Sequence, residues 1–199
     1  MTPTATPHIW LASASPRRRE LLSQIGVDFD LLLPDDPEAA ERLEAVRPGE
    51  PPNDYVQRVA IAKLQLALAT RERQALEVRP ILAADTTVAI GGRILGKPAD
   101  IDQARAMLQA LSGRTHRVLS AVAVARGTRI QHRVQVSRVW FDRIPAAALE
   151  AYARSGEGLD KAGGYGIQGV AGGFVRKIEG SYTGIMGLPL YETRRLLGL

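Results

Sequence analysis

The run Ile81–Ile90, ILAADTTVAI, is apolar except for a carboxylate and two threonines at its centre, and a glycine pair follows it. It is too short to span a bilayer, which takes about 18–20 residues. Its β-branched content reads as a strand. Gly91-Gly92 between apolar runs is a two-residue hairpin signal, with Ile94–Leu95 as the return strand. Counting back from that turn sets Ile90 opposite Arg93, Val88 opposite Leu95 and Thr86 opposite Lys97. Cross-strand neighbours lie about 4.5–5.5 Å apart. Asp85, Thr86 and Lys97 therefore converge at one end of the hairpin, if the ladder runs that far. A buried carboxylate needs a partner, a metal or a shifted pKa. The plainer alternative is an aspartate at a strand end or bulge, held by backbone N–H groups. In a site, the aspartate serves as metal ligand or general base and the lysine as a phosphate clamp.

Further strands are expected at His8–Ala12, Phe29–Leu33, Arg117–Arg126, Arg133–Phe141 and Phe174–Ile178. Helices are expected at Pro16–Ile25, Asp54–Leu76, Ile101–Leu111, Ala146–Ser155 and Pro189–Leu197, with a short one at Glu38–Val46 inside the proline-rich stretch Leu33–Asn53. Strands and helices alternate early and strands cluster in the middle. That order implies an α/β fold with a mixed sheet in one domain spanning 1–199.

Composition removes several function classes. Apolar residues at 45% and charged residues at 24% exclude a disordered chain. With no cysteine there is no disulfide scaffold, thiol nucleophile or thiolate metal site. His8, His116 and His132 have no metal-ligand spacing. The N-terminal MTPTATPHIWLAS lacks the basic and apolar regions of a secretory leader, so a cytoplasmic location and no membrane association are expected. The net charge of +5 fits either a mildly basic protein or one with a polyanionic ligand. Aromatics at 5% weaken a stacking surface for single-stranded nucleic acid, and no stable nucleic-acid partner is expected.

Three segments add chemistry. In Ser13-Ala14-Ser15-Pro16-Arg17-Arg18-Arg19, Ser15 can cap a helix and Pro16 suits its first position, yet three arginines occupy the first turn. Each exposed cation there costs roughly 0.3–1 kcal/mol against the helix dipole, and a bound phosphate reverses that sign. Solvated arginines on a helix held by tertiary packing are the alternative. Lys63 lies on the apolar stripe of its helix with Val56, Val59, Ala60 and Ala67, either snorkelling or aimed into a site. Asp160–Gly169, DKAGGYGIQG, contains a literal G-x-G-x-x-G, but no strand precedes it and no long helix follows, so it is not a dinucleotide fingerprint. It reads as a loop close to a ligand, with Gln168 and Tyr165 as polar or stacking contacts. Gly180–Pro189 is a second small-residue loop that could line the same pocket.

Five blocks in order, LASASPRRRELL, ILAADTTVAI…GKP, LSGRTHRV, DKAGGYGIQG and GSYTGIMGLPLYET, closely resemble the Maf family of nucleoside triphosphate pyrophosphatases from about Ile9 to Leu197. The resemblance implies an elongated two-lobed α/β fold with a mixed twisted sheet, flanking helices and a central cleft, similar to inosine triphosphate pyrophosphatases. It implies hydrolysis of a nucleoside triphosphate to monophosphate and pyrophosphate with a divalent cation, Mg²⁺ or Mn²⁺, and relatives suggest a homodimer. Arg17, Thr86 and Gln168 match the dTTP/UTP-type subgroup rather than the 7-methyl-GTP type. Asp85 becomes the catalytic carboxylate and a metal ligand. Ser13, Arg18, Lys63, Lys97 and Lys161 fall at substrate or phosphate positions, Lys97 also within the catalytic set. The family has a functional glutamate after its second strand. Ungapped counting from Gly26 puts it at Glu38, as catalytic residue and metal ligand, with Asp35 and Asp36 as alternatives. A nucleotide-binding regulator of cell division without turnover is the competing reading.

Overall fold

In the computed structural model, which describes residues 7–199, the apolar run folds as strand β3 (Ile81–Ile90), near the middle of a mixed sheet. Around it the chain runs β1 (Ile9–Leu11), α1 (Pro16–Gln24), β2 (Phe29–Leu31), α2 (Pro37–Leu43) and α3 (Pro52–Arg73). After β3 come β4 (Arg93–Leu95), α4 (Ile101–Leu111), β5 (Thr115–Arg126), β6 (Arg129–Phe141), α5 (Ala146–Ser155), β7 (Val175–Glu179), α6 (Tyr182–Met186) and α7 (Leu190–Leu197). The sheet order is β2-β1-β3-β5-β6-β7, with β4 beside β3. β1 runs parallel to β2 and β3, whereas β3 is antiparallel to β4 and β5.

Alternation along β3 sorts its side chains to two faces. Ile81, Ala83 and Ala89 join Val56, Val59, Ala60 and Leu64 of α3 with Leu119 and Ala121 of β5. Leu82 and Ala84 point the other way, into a cluster with Leu21 and Leu22 of α1 and Leu196 and Leu197 of α7. Val88, Val118, Val139 and Phe141 pack with α4 and α5. Each fully buried leucine contributes roughly 1.5–3 kcal/mol, so the helices are held by these stripes.

The hairpin register is as counted from the glycine pair, with Ile90 opposite Arg93 and Val88 opposite Leu95. β6 begins at Arg129 rather than Arg133, because its polar start Arg129–His132 continues the ladder with β5. α6 was not expected. It is a short turn of helix capped by Ser181, whose Oγ accepts from Gly184 N at 3.0 Å.

One edge of β3 is shared. β1 pairs with Ile81 and Leu82, and β4 pairs with Val88, Ala89 and Ile90. Among the described residues no strand pairs with residues 83–87 on that edge, while β5 pairs continuously along the other, from Ile81 to Ala89. The gap opens at the carboxyl end of β1, which is where open α/β sheets place ligands.

Candidate active site

A cleft of about 630 Å³ occupies this gap. Because the edge is open, the cleft meets both faces of β3. Asp85 enters it from the α3 side and Thr86 from the α1 side. Lys63, on the apolar stripe of α3, reaches across to Asp85 Oδ1 at 2.7 Å. The same ammonium donates to Glu44 Oε1 at 2.6 Å, and Lys97 Nζ donates to Glu44 Oε2 at 3.3 Å. Burial pushes the Asp85 carboxyl up, and Lys63 and Arg18 only partly offset it. Burial also raises Glu44, but Lys63 and Lys97 together outweigh it and hold that carboxyl below its usual range. Two carboxylates on one lysine are thus driven in opposite directions.

Lys97 arrives by a different path from the one expected. β4 stops at Leu95, and Gly96 O accepts from Gly163 N at 3.0 Å. The ladder therefore does not extend to a Thr86–Lys97 pair, and Lys97 meets Glu44 instead. Thr86 sits opposite Ser120 of β5, their hydroxyls 2.8 Å apart, and also donates to Gly187 O at 3.4 Å.

Glu38 does not reach the cleft. α2 is capped by Asp36, whose carboxylate accepts from Glu38 N at 2.9 Å, so Glu38 falls in the first turn, where its side chain is 83% exposed and pairs with Arg42 at 3.4 Å. Pro37, Ala40, Glu41 and Glu44 line the cleft at the spacing of one helix face, and Glu38 lies off that face. The two alternatives are engaged elsewhere, Asp36 with Arg42 at 2.8 Å and Asp35 with Arg73 and Gln74. Of the two glutamates that line the cleft from this segment, Glu41 and Glu44, Glu44 is the one that meets Lys63, and ungapped counting missed it. The one sequence signal for it is the 37/40/41/44 spacing.

At the start of α1 the three arginines separate. Arg18 donates from Nε to Gly187 O at 2.9 Å and from Nη1 to Ser13 Oγ at 3.1 Å. Burial lowers its pKa, with Asp85 and Glu44 opposing the shift. Arg17 lines the cleft and pairs with Asp160 at 3.4 Å, while Arg19 turns away to Ala14 O at 2.8 Å. Ser15 makes no side-chain cap, contrary to expectation, and the first turn holds no acidic residue. The positive end of the helix therefore faces the cleft without a protein anion on it.

The glycine loop closes the opposite wall. Gly163 has φ +72°, and a Cβ there would lie 2.8 Å from Val88 Cγ2, so only glycine lets the loop settle on β3. Lys161 lines the cleft and donates to Asp160 Oδ1 at 2.5 Å, and Gln168 stands exposed at the rim. Tyr165, expected as a ligand contact, lines the cleft but is mostly buried. Its hydroxyl meets His116 Nε2 at 2.7 Å and its ring packs edge-on against Phe141. The second small-residue loop contributes Ile185, Met186 and Gly187. Ser13, Arg17, Arg18, Lys63, Asp85, Thr86, Lys97, Lys161 and Gln168 thus share one cleft, and Glu38 does not.

The family model described as Maf-like protein matches residues 8–198. A dTTP/UTP pyrophosphatase of Cupriavidus pinatubonensis is 60% identical over 190 residues, covering 96% of this chain and 95% of the relative. A dTTP/UTP pyrophosphatase of Cupriavidus metallidurans is 59% identical over 192 residues, covering 96% of each chain. Among solved structures, the Ham1 protein of Staphylococcus aureus aligns with a TM-score of 0.43 and 13% identity, over 67% of this chain and 71% of that one.

Proposed function

This chain belongs to the Maf-like protein family, and from that membership we propose that it hydrolyses dTTP and UTP to the nucleoside monophosphate and pyrophosphate. The observation that carries the chemistry is the pair of carboxylates, Asp85 and Glu44, held on Lys63 in a cleft whose other wall presents Arg17, Arg18 and an uncapped helix start.

Water attacks the α-phosphorus in line, the bond from that phosphorus to the bridging oxygen breaks, and pyrophosphate leaves. Asp85, its carboxyl raised by burial, takes the proton from the attacking water. Arg18, Lys97 and the amino end of α1 meet the charge of the leaving pyrophosphate, with Ser13 and Lys161 beside them. Arg17, Thr86 and Gln168 select the pyrimidine. Lys63 holds Asp85 and Glu44 in one orientation and lends positive charge to the phosphate side.

The donor set fits a Mg²⁺ or Mn²⁺ ion, which would be held by the hard carboxylate oxygens of Asp85 and Glu44. Such an ion would supply charge neutralisation at the phosphoryl oxygens. The absence of cysteine fits the reducing cytosol, where nucleotide pools lie.

A panel of nucleoside triphosphates with Mg²⁺ or Mn²⁺ tests the reading by separate measurement of pyrophosphate and monophosphate. Equal release of both from dTTP and UTP is the expected result. Turnover confined to purine or methylated-guanine nucleotides contradicts the substrate assignment. Tight binding of every nucleotide without pyrophosphate release contradicts the enzyme and favours a regulator.

A further inference from the structure

Glu44 closes a helix that contributes nothing to the core. α2 has no fully buried residue among those described, and only Ala39, Ala40 and Leu43 are half-buried, so packing alone holds it weakly. Side chains of α3 add to that hold. Three consecutive main-chain carbonyls, those of Leu43, Glu44 and Ala45, accept hydrogen bonds from two α3 residues. Arg58 Nη1 donates to Leu43 O at 3.0 Å and Nη2 to Ala45 O at 2.9 Å, while Tyr55 Oη donates to Glu44 O at 2.9 Å. The guanidinium is itself locked by Glu50 in a two-pronged pair, Nε to Oε1 at 2.6 Å and Nη2 to Oε2 at 2.8 Å. Glu50 also accepts from Arg47 N at 3.2 Å, tying down the chain that follows Glu44. Neither Arg58 nor Glu50 lines the cleft.

We propose that Arg58 is a positioning residue for the reaction: anchored by Glu50, its guanidinium fixes the main chain on both sides of Glu44 and so sets the Glu44 carboxylate on Lys63. The proposal rests on the reading of Glu44 as a site carboxylate. A carboxylate on a weakly packed segment samples many positions, and a misplacement of about 1 Å in a reacting constellation costs as much as about 10²-fold in rate. Only a planar fork makes these four bonds together. Lysine keeps the charge at position 58 but not the geometry, so Arg58→Lys is not a conservative change.

The test is a double-mutant cycle on kcat and KM for dTTP with Arg58→Lys, Glu44→Gln and the pair. Arg58→Lys is expected to lower kcat about ten- to hundredfold with KM within about threefold. In the Glu44→Gln background the same change is expected to lower kcat by less than about twofold, because Arg58 acts through the missing carboxylate. Full additivity, or a wild-type kcat in Arg58→Lys beside an impaired Glu44→Gln, overturns the proposal and leaves the reading of Glu44 standing. A wild-type kcat in Glu44→Gln overturns that reading first and the proposal with it. Amide hydrogen exchange on Arg58→Lys gives a second readout that needs no turnover. Faster exchange confined to residues 37–50 is expected. Unchanged exchange there, or an equal rise throughout α3 and β3, contradicts the proposal.

Discussion

Lys63 carries the charge balance of the cleft. Among the described residues its ammonium is the one group in contact with both carboxylates, and it sits on an apolar stripe with its side chain 15% exposed. That placement was legible: a lysine among valines and alanines at helical spacing has to snorkel or serve a site, and here its ammonium turns into the cleft. Glu44 was not legible, because a counted position holds only while the chain path is known. Between β2 and α3 the path is set by Asp36 capping α2, which Asp36-Pro37 signals locally, and by Arg58 gripping residues 43–45, a tertiary contact with no local sequence signature. The correction has a direct check in steady-state turnover of dTTP. Glu44→Gln is expected to lower kcat/KM by about 10²-fold or more, as for loss of a group acting on the transition state. Glu38→Gln, which alters an exposed side chain paired with Arg42, is expected to stay within about twofold. A reversed ranking would return the site carboxylate to position 38.

The shared edge of β3 explains why one strand builds both faces of the site. Two antiparallel neighbours along its whole length would have buried Asp85 without an approach. Two partial neighbours leave a gap that the loop before α1, the Gly96-Lys97 segment and the glycine loop all border. The strand, its turn and the first registers of the hairpin were readable because β-branched runs and a glycine pair specify them locally. The end of the hairpin was not, since β4 is released by a tertiary bond between Gly96 and Gly163. α6 was hidden for a related reason: its sequence, YTGIM, carries a glycine and forms a single capped turn. The tight seat of the glycine loop makes a stability prediction. Gly163→Ala adds a methyl to a residue at φ +72° and drives it into Val88, so urea unfolding should show a loss of about 1–3 kcal/mol. An unchanged midpoint and slope would mean that the loop is not seated on β3.

Cores on both faces of the sheet and under α4 and α5 set the stability of the chain as a unit, and one buried imidazole ties that stability to pH. His116, between Phe141 and Tyr165, has its pKa pushed down by burial to about 4. The unfolded chain binds this proton near pH 6.5 and the native chain refuses it until about pH 4. Between those values the unfolded state holds more protons, so stability falls as pH falls, by up to about 3 kcal/mol from this group. The contribution is complete above pH 6.5 and lost through the window down to about 4. Urea midpoints from pH 7 to pH 4 should therefore decline more steeply for the wild type than for His116→Gln. Parallel curves would remove His116 from the account. The α/β class and the alternation of strands and helices were readable across the chain, because they rest on periodicity. Which loops meet across the cleft was not, because that is decided by how the three apolar clusters pack.

The claim on which the rest depends is that Asp85 performs chemistry rather than holding the fold. Asparagine keeps its shape, leaves Lys63 its bond to Glu44 and removes a charge that burial already disfavours, so Asp85→Asn should unfold at or above the wild-type urea midpoint. The most direct measurement is pyrophosphate release from dTTP by that variant, alongside its unfolding curve. The account predicts a folded protein whose kcat is lower by about 10³-fold or more. A folded Asp85→Asn variant that turns over dTTP at the wild-type rate would contradict it.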